Sequence, residues 1–163
     1  MIIKWLKNEY AFRQWSADRY DHFPISLEDM NAYYDRDRSN DAIWGMTAFD
    51  DSGVVGHLTM RYPKYGRKDS NPEGGKEIRF GFVIIDDAKR GRGYGKEMLS
   101  LAIWYAFDIL KVEKTSLGVF ENNRPAILCY TSCGFQLVPL EEPKQYQYLE
   151  MVLHRKAPDR PVI

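Results

Sequence analysis

Apolar residues near the start of the chain recur with helical spacing. Tyr10, Phe12 and Trp15 follow such a pattern and predict a helix. The sequence Ser26-Leu-Glu-Asp29 has the form of a capping box with Asp in place of the usual Glu. It predicts the start of a second helix that runs toward Tyr34.

Shorter apolar stretches predict strands. The first is Ile2 to Leu6, and two more, residues 42–49 and 54–62, flank Asp50-Asp51-Ser52-Gly53, whose composition suits a tight turn. These two stretches therefore predict a β-hairpin. A further strand is expected from Glu77 to Ile85, as the central strand of the sheet.

The rest of the chain alternates between helix and strand patterns. Residues 63–76 combine Pro and Gly with charged residues and predict a mobile connection. Pro125 suits the first turn of a helix, with Asn122 or Asn123 available as its N-cap. The predicted elements are a helix over about 94–110, a strand over 114–119, a helix ending at Gly134, strands over 135–138 and 146–153, and a frayed tail over 157–161. This order predicts a single α/β domain over residues 1–163.

Composition limits the range of functions. The 163 residues are 44% hydrophobic, which is enough for one domain with a substantial core. The formal net charge is zero and no long basic block occurs, so we expect neither a nucleic-acid partner nor attraction to an acidic membrane. The N-terminus lacks the apolar core of a signal peptide, and no apolar stretch is long enough to cross a bilayer. We therefore expect a cytoplasmic protein.

A glycine-rich run, Arg90-Gly-Arg-Gly-Tyr-Gly-Lys96, connects the strand that ends at Ile85 to the helix that follows. Glycines at alternate positions allow a tight backbone with several N–H groups on one side, and the helix N-terminus adds partial positive charge. Arg90, Arg92 and Lys96 place cations around the same point. The run predicts a site for a phosphate or pyrophosphate.

Spacing excludes two familiar phosphate loops. A Walker A loop ending at Gly95-Lys96 needs Gly at position 90 and Ser or Thr at position 97, where this chain has Arg90 and Glu97. A dinucleotide-binding loop needs its third glycine one residue later, and an acidic residue at the end of the next strand. That strand ends in Leu117-Gly-Val-Phe120 instead.

The pattern that remains, Arg-x-x-Gly-x-Gly from Arg90 to Gly95, resembles the acyl-CoA loop of the GNAT acetyltransferase superfamily. A second segment supports this resemblance. Asn123-x-x-Ala126-x-x-x-Tyr130, followed by Gly134-Phe135, is similar to a motif of the same family. The resemblance is clear over about residues 77–135. The stretches Trp15-Ser-Ala-Asp18 and Pro24-Ile-Ser-Leu are loosely similar to the ribosomal-protein alanine acetyltransferase branch.

The resemblance implies a GNAT-type fold, with a central mixed, mostly antiparallel sheet flanked by helices. One central strand would splay from its neighbour and bind acetyl-CoA through its backbone. An amine would accept the acetyl group. The positions that match cofactor-binding residues are Val83, Ile84, Ile85, Arg90, Gly91, Arg92, Gly93, Tyr94, Gly95, Lys96, Asn123, Ala126, Leu128, Cys129 and Tyr130. Asn122 is an alternative to Asn123 as the pantetheine contact. The non-enzymatic alternative is an acyl-CoA sensor or regulatory module, and a homodimer through the C-terminal strands is plausible.

Acetyl transfer requires one group that protonates the departing sulfur and one that removes the amine proton. Tyr130 is the candidate acid, because its hydroxyl is protonated at neutral pH and its position matches the tyrosine that acts so in the family. Glu77 is the candidate base, directly or through a water. The alternatives are an aromatic anchor for Tyr130 and a solvated strand end for Glu77. His57 is a rival base, and His22 and His154 have less support.

Three other features affect the expected site. Cys129 and Cys133 lie four residues apart on a predicted helix without a nearby histidine, so we expect neither a metal, a disulfide nor a covalent intermediate. Asp86-Asp87 brings two carboxylates close to the anion loop, a departure from the common family pattern. The segment from Asp21 to Asp51 is acidic and rich in aromatic residues. It suits either a cationic acceptor or a packed core with solvated acids.

Overall fold

The computed structural model describes residues 1–17, 19–36, 42–63, 76–139 and 148–156. Within these ranges six strands form one sheet. They are β1 (Ile43–Asp50), β2 (Gly53–Arg61), β3 (Glu77–Ile85), β4 (Lys114–Phe120), β5 (Gln136–Leu137) and β6 (Tyr148–His154). The order across the sheet is β1-β2-β3-β4-β6-β5. Only β3 and β4 pair in parallel, so the predicted mixed, mostly antiparallel sheet is confirmed.

Four α-helices accompany the described strands. They are α1 (Glu9–Ser16), α2 (Leu27–Asp35), α3 (Tyr94–Trp104), which continues as a π-helical turn over Tyr105–Ile109, and α4 (Arg124–Ser132). The capping box at α2 is confirmed, since Asp29 N–H donates to the Ser26 hydroxyl and Ser26 N–H donates to the Asp29 carboxylate. Asn123, rather than Asn122, caps α4. None of the helices in the described ranges is both long enough and apolar enough to span a bilayer.

The predicted first strand is wrong. Residues Ile2–Trp5 form a 3-10 turn, held by N–H groups of Lys4 and Leu6 that donate to carbonyls three residues earlier. Trp5 and Leu6 are both buried although they are consecutive. A strand would place them on opposite faces, whereas the turn buries both against one layer of the core. The predicted connection is described only at its ends, because residues 64–75 lie outside the described ranges, as do 146–147 and 157–163.

The sheet separates two apolar layers. The α3–α4 layer contains Leu58, Met60, Ile78, Phe80, Met98, Leu99, Ala102, Leu117, Tyr130 and Phe135, among others. The α1–α2 layer contains Trp5, Leu6, Phe12, Trp15, Tyr20, Ile25, Met30, Phe82 and Ile84. Helices on both faces bury the central strands, as predicted for this fold class.

Strand β3 changes face in its middle. Ile78 and Phe80 pack in the α3–α4 layer, but Phe82 and Ile84 pack in the α1–α2 layer. Residues two apart on a regular strand share one face, so an extra residue must intervene. The pairing with β2 shows this extra residue. Gly81 pairs with Thr59 and Ile84 pairs with His57, so three steps along β3 lie opposite two steps along β2. Phe82 adopts a left-handed backbone with φ of 49°.

Candidate active site

The neighbours β3 and β4 pair only at one end. Glu77–Arg79 pair with Lys114–Ser116, and beyond Arg79 the two strands separate. The opening forms a cavity of about 510 Å³, lined by residues from β3, β4, α1 and α4. We call it the splay cavity. Val83, Ile84 and Ile85 all line it, as the family resemblance predicts.

The glycine-rich loop lies at one end of the splay cavity. Its first residue, Arg90, lines the cavity. Gly91 and Gly93 have φ of 75° and 89°, and a Cβ at either would meet no atom within 4 Å. Gly93 is the N-cap of α3. The hydrogen bond from the Glu97 N–H to the Gly93 carbonyl is the first one of the helix. The amides of the first turn therefore remain available for an anion. Arg92 and Lys96 are exposed beside them.

The hairpin turn holds this loop in place through Asp50. The Asp50 carboxylate accepts hydrogen bonds from Lys89 Nζ and from the Tyr94 hydroxyl, both at 2.7 Å. These hydrogen bonds keep the pKa of Asp50 well below its usual range, and the bond from Lys89 makes the largest contribution. The Tyr94 hydroxyl is thus occupied by the protein, and Tyr94 can offer the anion its backbone N–H as the first residue of α3. Asp50 carried only a turn signal in the sequence, so this contact between distant segments was missed.

The two carboxylates before the loop are also paired. Asp86 accepts the N–H of Ala88 at 3.0 Å and caps a short 3-10 turn over Asp87–Lys89. The Asp87 carboxylate pairs with Lys7, which lowers its pKa. The charge of Asp87 is therefore offset by Lys7, whereas the Asp86 carboxylate is held by a backbone N–H.

Helix α4 presents one face to the splay cavity. Ala126 and Tyr130, four residues apart, line it together with the cap Asn123. Leu128 is 70% exposed and does not line the cavity. Its predicted contact with the cofactor stays a prediction. Cys129 lies beside the loop instead, where a Cβ at Gly95 would be 3.4 Å from its Sγ.

Tyr130 combines burial with access to the splay cavity. It is 7% exposed and its ring packs edge-on against Phe135. Burial raises the pKa of the hydroxyl above its ordinary value, so the group retains its proton at neutral and mildly alkaline pH. The side chain thus has the protonation state that a general acid requires.

Sequence reasoning missed a bridge across the opening. Gln14 on α1 donates from Nε2 to Asn122 Oδ1 at 2.8 Å, and both residues line the splay cavity. The Gln14 Oε1 atom is buried and has no hydrogen-bond partner in the described part of the chain. A buried acceptor without a partner costs free energy, so this atom is suited to accept an N–H from a bound ligand. In α1 the sequence pattern indicated only the aromatic residues, so Gln14 was not identified as a site residue.

The structure does not bring Glu77 to Tyr130. Glu77 begins β3, at the closed end of the β3–β4 pair. Its carboxylate pairs with Lys114 Nζ at 2.7 Å and accepts a hydrogen bond from the Ser116 hydroxyl. It lines neither the splay cavity nor the second cavity described below. These contacts favour a structural role, so the predicted role as base needs a direct test.

We expect Glu77→Gln to leave turnover within about threefold of wild type and to reduce the free energy of unfolding by about 1 kcal/mol, because it removes a partly buried ion pair. Steady-state kinetics and urea unfolding measure the two effects. Glu113→Gln, which removes the exposed pair with Lys76, is the matched control. If turnover fell by about 100-fold or more without a matching loss of stability, Glu77 would be restored as the base.

A second cavity of about 450 Å³ lies against β1, β2 and the end of α2. We call it the α2 cavity. It shares Arg19, Gly81 and Phe82 with the splay cavity, so the two meet at the bulge of β3. Trp15 Nε1 donates to the Phe82 carbonyl at 3.0 Å and holds the bulge from the α1 side.

His57 does not line the α2 cavity but contacts Tyr34, which does. The Tyr34 hydroxyl, on a residue that lines the cavity, is 2.9 Å from His57 Nε2, and Thr47 Oγ1 is 3.5 Å from His57 Nδ1. Burial lowers the pKa of His57 to about 4. The imidazole is therefore neutral at pH 7. In this state it orients the Tyr34 hydroxyl and is a weak base.

The depressed pKa of His57 makes stability depend on pH. Between about pH 6.5 and pH 4 the unfolded chain binds a proton at His57 that the folded chain does not. We expect the free energy of unfolding to fall by about 3 kcal/mol as the pH decreases through this window, from this group alone. Urea unfolding at pH 7 and pH 4.5 measures the fall. His57→Gln should show a smaller fall, and equal falls in both proteins would contradict the assignment.

Neither cysteine opens onto these cavities. Cys133 Sγ lies 3.9 Å from the Lys96 carbonyl, and neither Cys129 nor Cys133 lines either cavity. Hydrogen bonding between the two thiols raises the pKa of Cys129 and lowers that of Cys133. In the described ranges, no group of three or more His, Cys, Asp or Glu residues is arranged to hold a metal ion.

An anion site at the start of a helix, an adjoining splayed strand pair and a buried tyrosine define an elongated site for a phosphate-bearing cofactor. The chain matches the model of the acetyltransferase (GNAT) family over residues 3–135. It therefore belongs to that family, and the resemblance found in the sequence is confirmed.

Related proteins match parts of the chain. It is 32% identical to the spermine/spermidine N(1)-acetyltransferase of Bacillus subtilis (strain 168) over 75 residues, which are 46% of this chain and 47% of that protein. It is 28% identical to the L-amino acid N-acetyltransferase AaaT of Escherichia coli (strain K12) over 92 residues, 56% of this chain and 52% of that protein. The chain thus spans about half the length of these curated relatives.

Solved structures agree with the fold. The spermidine N-acetyltransferase from Vibrio cholerae, in complex with CoA and spermine, matches with a TM-score of 0.71 and 19% sequence identity. The match covers 94% of this chain and 87% of that chain. The predicted fold class is therefore confirmed.

Proposed function

We propose that this chain transfers an acetyl group from acetyl-CoA to a primary amine by direct attack, without a covalent enzyme intermediate. The observation that carries this proposal is the meeting of the splay cavity and the α2 cavity at Gly81 and Phe82. Two substrates that enter through separate openings are brought together at one point, which is what a direct transfer requires. The family membership supports the same reaction.

The residues of the splay cavity fit acetyl-CoA. The amides at the start of α3, with Arg90, Arg92 and Lys96, suit its phosphates. Beyond Arg79 the β4-facing edge of β3 has no strand partner in the described chain, so an extended pantetheine can pair with it as an added strand would. Buried Gln14 Oε1 suits a pantetheine amide. Bound there, acetyl-CoA supplies the acetyl group as an activated thioester.

Tyr130 is the proposed acid at the reacting end of the splay cavity. Its hydroxyl keeps its proton because burial raises the pKa, and it can donate that proton to the departing sulfur. The amine enters through the α2 cavity, where Arg19 and Arg61 are part of the lining. Nearby cations disfavour an ammonium ion, so they lower the pKa of a bound amine and favour its neutral, nucleophilic form. The amine loses one proton to solvent before it attacks, and the proton that its nitrogen releases after the attack restores the Tyr130 hydroxyl through solvent, so no strong base is needed.

Release of thiol from acetyl-CoA across a panel of amines tests the proposal. The panel contains polyamines, aminoglycosides, amino acids and peptides with free N-termini, and reactions without amine give the background. Amine-dependent release establishes the transferase. Tight binding of acetyl-CoA by calorimetry with no stimulation by any amine contradicts it and favours an acyl-CoA sensor. A cytoplasmic location and a homodimer stay predictions from the sequence.

A further inference from the structure

We propose that the acceptor amine carries an anionic group, a carboxylate or a phosphate, which Arg61 binds in the α2 cavity. The inference rests on the proposed transfer and names its acceptor class. It differs from the cationic acceptor that the acidic segment allows. Among the described residues, the lining of the cavity favours the anionic group, because it contains more arginines than acids.

The charge of the lining is positive. Three arginines, Arg19, Arg36 and Arg61, line the α2 cavity, and Asp35 is its one acidic residue in the described part of the chain. None of the other described acids of the segment lines the cavity. Asp29 serves the α2 cap and Asp50 holds the glycine-rich loop. A polycation would meet like charge here.

Arg61 is the cation that most needs an anion. It is half-buried at the end of β2, and burial together with the nearby Arg79 and Arg19 lowers its pKa. The charge of Arg79 is matched by a two-pronged ion pair with Glu150. In the described ranges Arg61 has no ion pair or side-chain hydrogen bond. A partly desolvated guanidinium without an acceptor is unfavourable, and a carboxylate or phosphate satisfies it with two parallel hydrogen bonds.

The neighbouring arginine is oriented toward the same place. Arg19 lies over the Phe82 ring, 5.0 Å from its centroid, and donates from Nη1 to the Ser16 carbonyl at 3.0 Å. This position lies at the junction of the two cavities, since Arg19 and Phe82 line both. Arg19 therefore places positive charge at this junction.

The spacing suits a small molecule. Thr59 pairs with Gly81 at the junction of the cavities, and Arg61 lies two residues further along β2 on the same face. Their Cα atoms are therefore about 7 Å apart. An arginine side chain extends over a similar length, so it can hold an anion close to an amine at the junction. A short separation between amine and anion, as in an amino acid, fits this distance.

Matched substrate pairs that differ only in the anionic group provide the test. The pairs are arginine with agmatine, phenylalanine with phenethylamine, and phosphoethanolamine with ethanolamine, each assayed by thiol release with spermidine as a further acceptor. We expect the anionic member to have at least a 30-fold higher kcat/KM, and spermidine to be a poor acceptor. The pair with the larger ratio distinguishes a carboxylate from a phosphate. Equal rates within each pair, or a preference for spermidine, would overturn the proposal.

Arg61→Gln assigns the preference to this residue. We expect it to raise the KM of the amines that carry the anionic group at least tenfold. The KM of the partners that lack this group, and the affinity for acetyl-CoA, should stay unchanged. Arg155→Gln removes an exposed cation that pairs with Asp108 and should have no effect. An unchanged ratio within each pair in Arg61→Gln would overturn the assignment.

A binding measurement separates this inference from the proposed function. Calorimetry with the N-acetylated products needs no catalysis, so it reports on the site even if no amine is turned over. Tighter binding of N-acetylphenylalanine than of N-acetylphenethylamine, lost in Arg61→Gln, supports the anion site whether or not the chain is a transferase. Equal affinities for the two products would overturn it.

Discussion

Gly93→Glu is expected to weaken acetyl-CoA binding at least 100-fold, which corresponds to about 2.7 kcal/mol. Gly93 is the N-cap of α3 and its Cβ direction is open, so a glutamate fits without a clash. It places a carboxylate beside the amides that receive the phosphates, and like charges repel there. Calorimetric titration with acetyl-CoA, compared at low and high salt, measures the loss and its electrostatic part.

Backbone strain must be separated from charge in this experiment. Gly93 has φ of 89°, a region in which a side chain costs about 1–2 kcal/mol. Gly93→Ala carries the same strain without the charge, so it should lose stability as Gly93→Glu does but retain most of its affinity. Equal acetyl-CoA affinity in wild type and Gly93→Glu would show that the phosphates bind elsewhere.

Tyr130→Phe is expected to lower turnover by about 100-fold or more, because general acid catalysis contributes on this scale. The substitution keeps the ring that packs against Phe135 and removes only the hydroxyl, so acetyl-CoA affinity should stay within about threefold. The raised pKa of Tyr130 adds a second expectation. Deprotonation of this group should not reduce wild-type turnover between pH 7 and pH 9.

Tyr62→Phe is the matched control for Tyr130→Phe. Tyr62 packs against Trp44 and lines neither cavity, so loss of its hydroxyl should leave turnover unchanged. Single-turnover measurements at saturating substrates then compare the chemical step directly. Undiminished turnover in Tyr130→Phe would assign protonation of the sulfur to another group or to water.

Most of the fold could be predicted because its signals are local. The capping box at Ser26, the turn at 50–53 and Pro125 in the first turn of α4 each act within a few residues, and each was found correctly. The failure at Ile2–Trp5 has a tertiary cause, since a short apolar stretch suits a strand or a turn equally and burial against the α1–α2 layer decides. The sequence signals for the anion loop and for its position at a helix N-terminus were also local.

The rest of the candidate site depends on contacts between distant segments. The clamp from Asp50 to Tyr94 and the bridge from Gln14 to Asn122 join residues far apart in the chain. Nothing in the local pattern around either acceptor indicates its partner. The positive charge of the α2 cavity could not be predicted for the same reason. Arg19 and Arg61 are far apart in the sequence and come together only in the folded chain. The roles of Tyr130 and Glu77 stay predictions, as does the loose similarity around Trp15.

The change of face in β3 also predicts how relatives of this chain vary. Because Phe80 and Phe82 pack in different layers, each is constrained by a different set of neighbours. In an alignment of relatives that keep the bulge, the size of residue 80 should covary with positions on α3 and α4. The size of residue 82 should covary with the aromatic positions of α1. Residues 80 and 82, which would share one face of a regular strand, would then vary independently of each other.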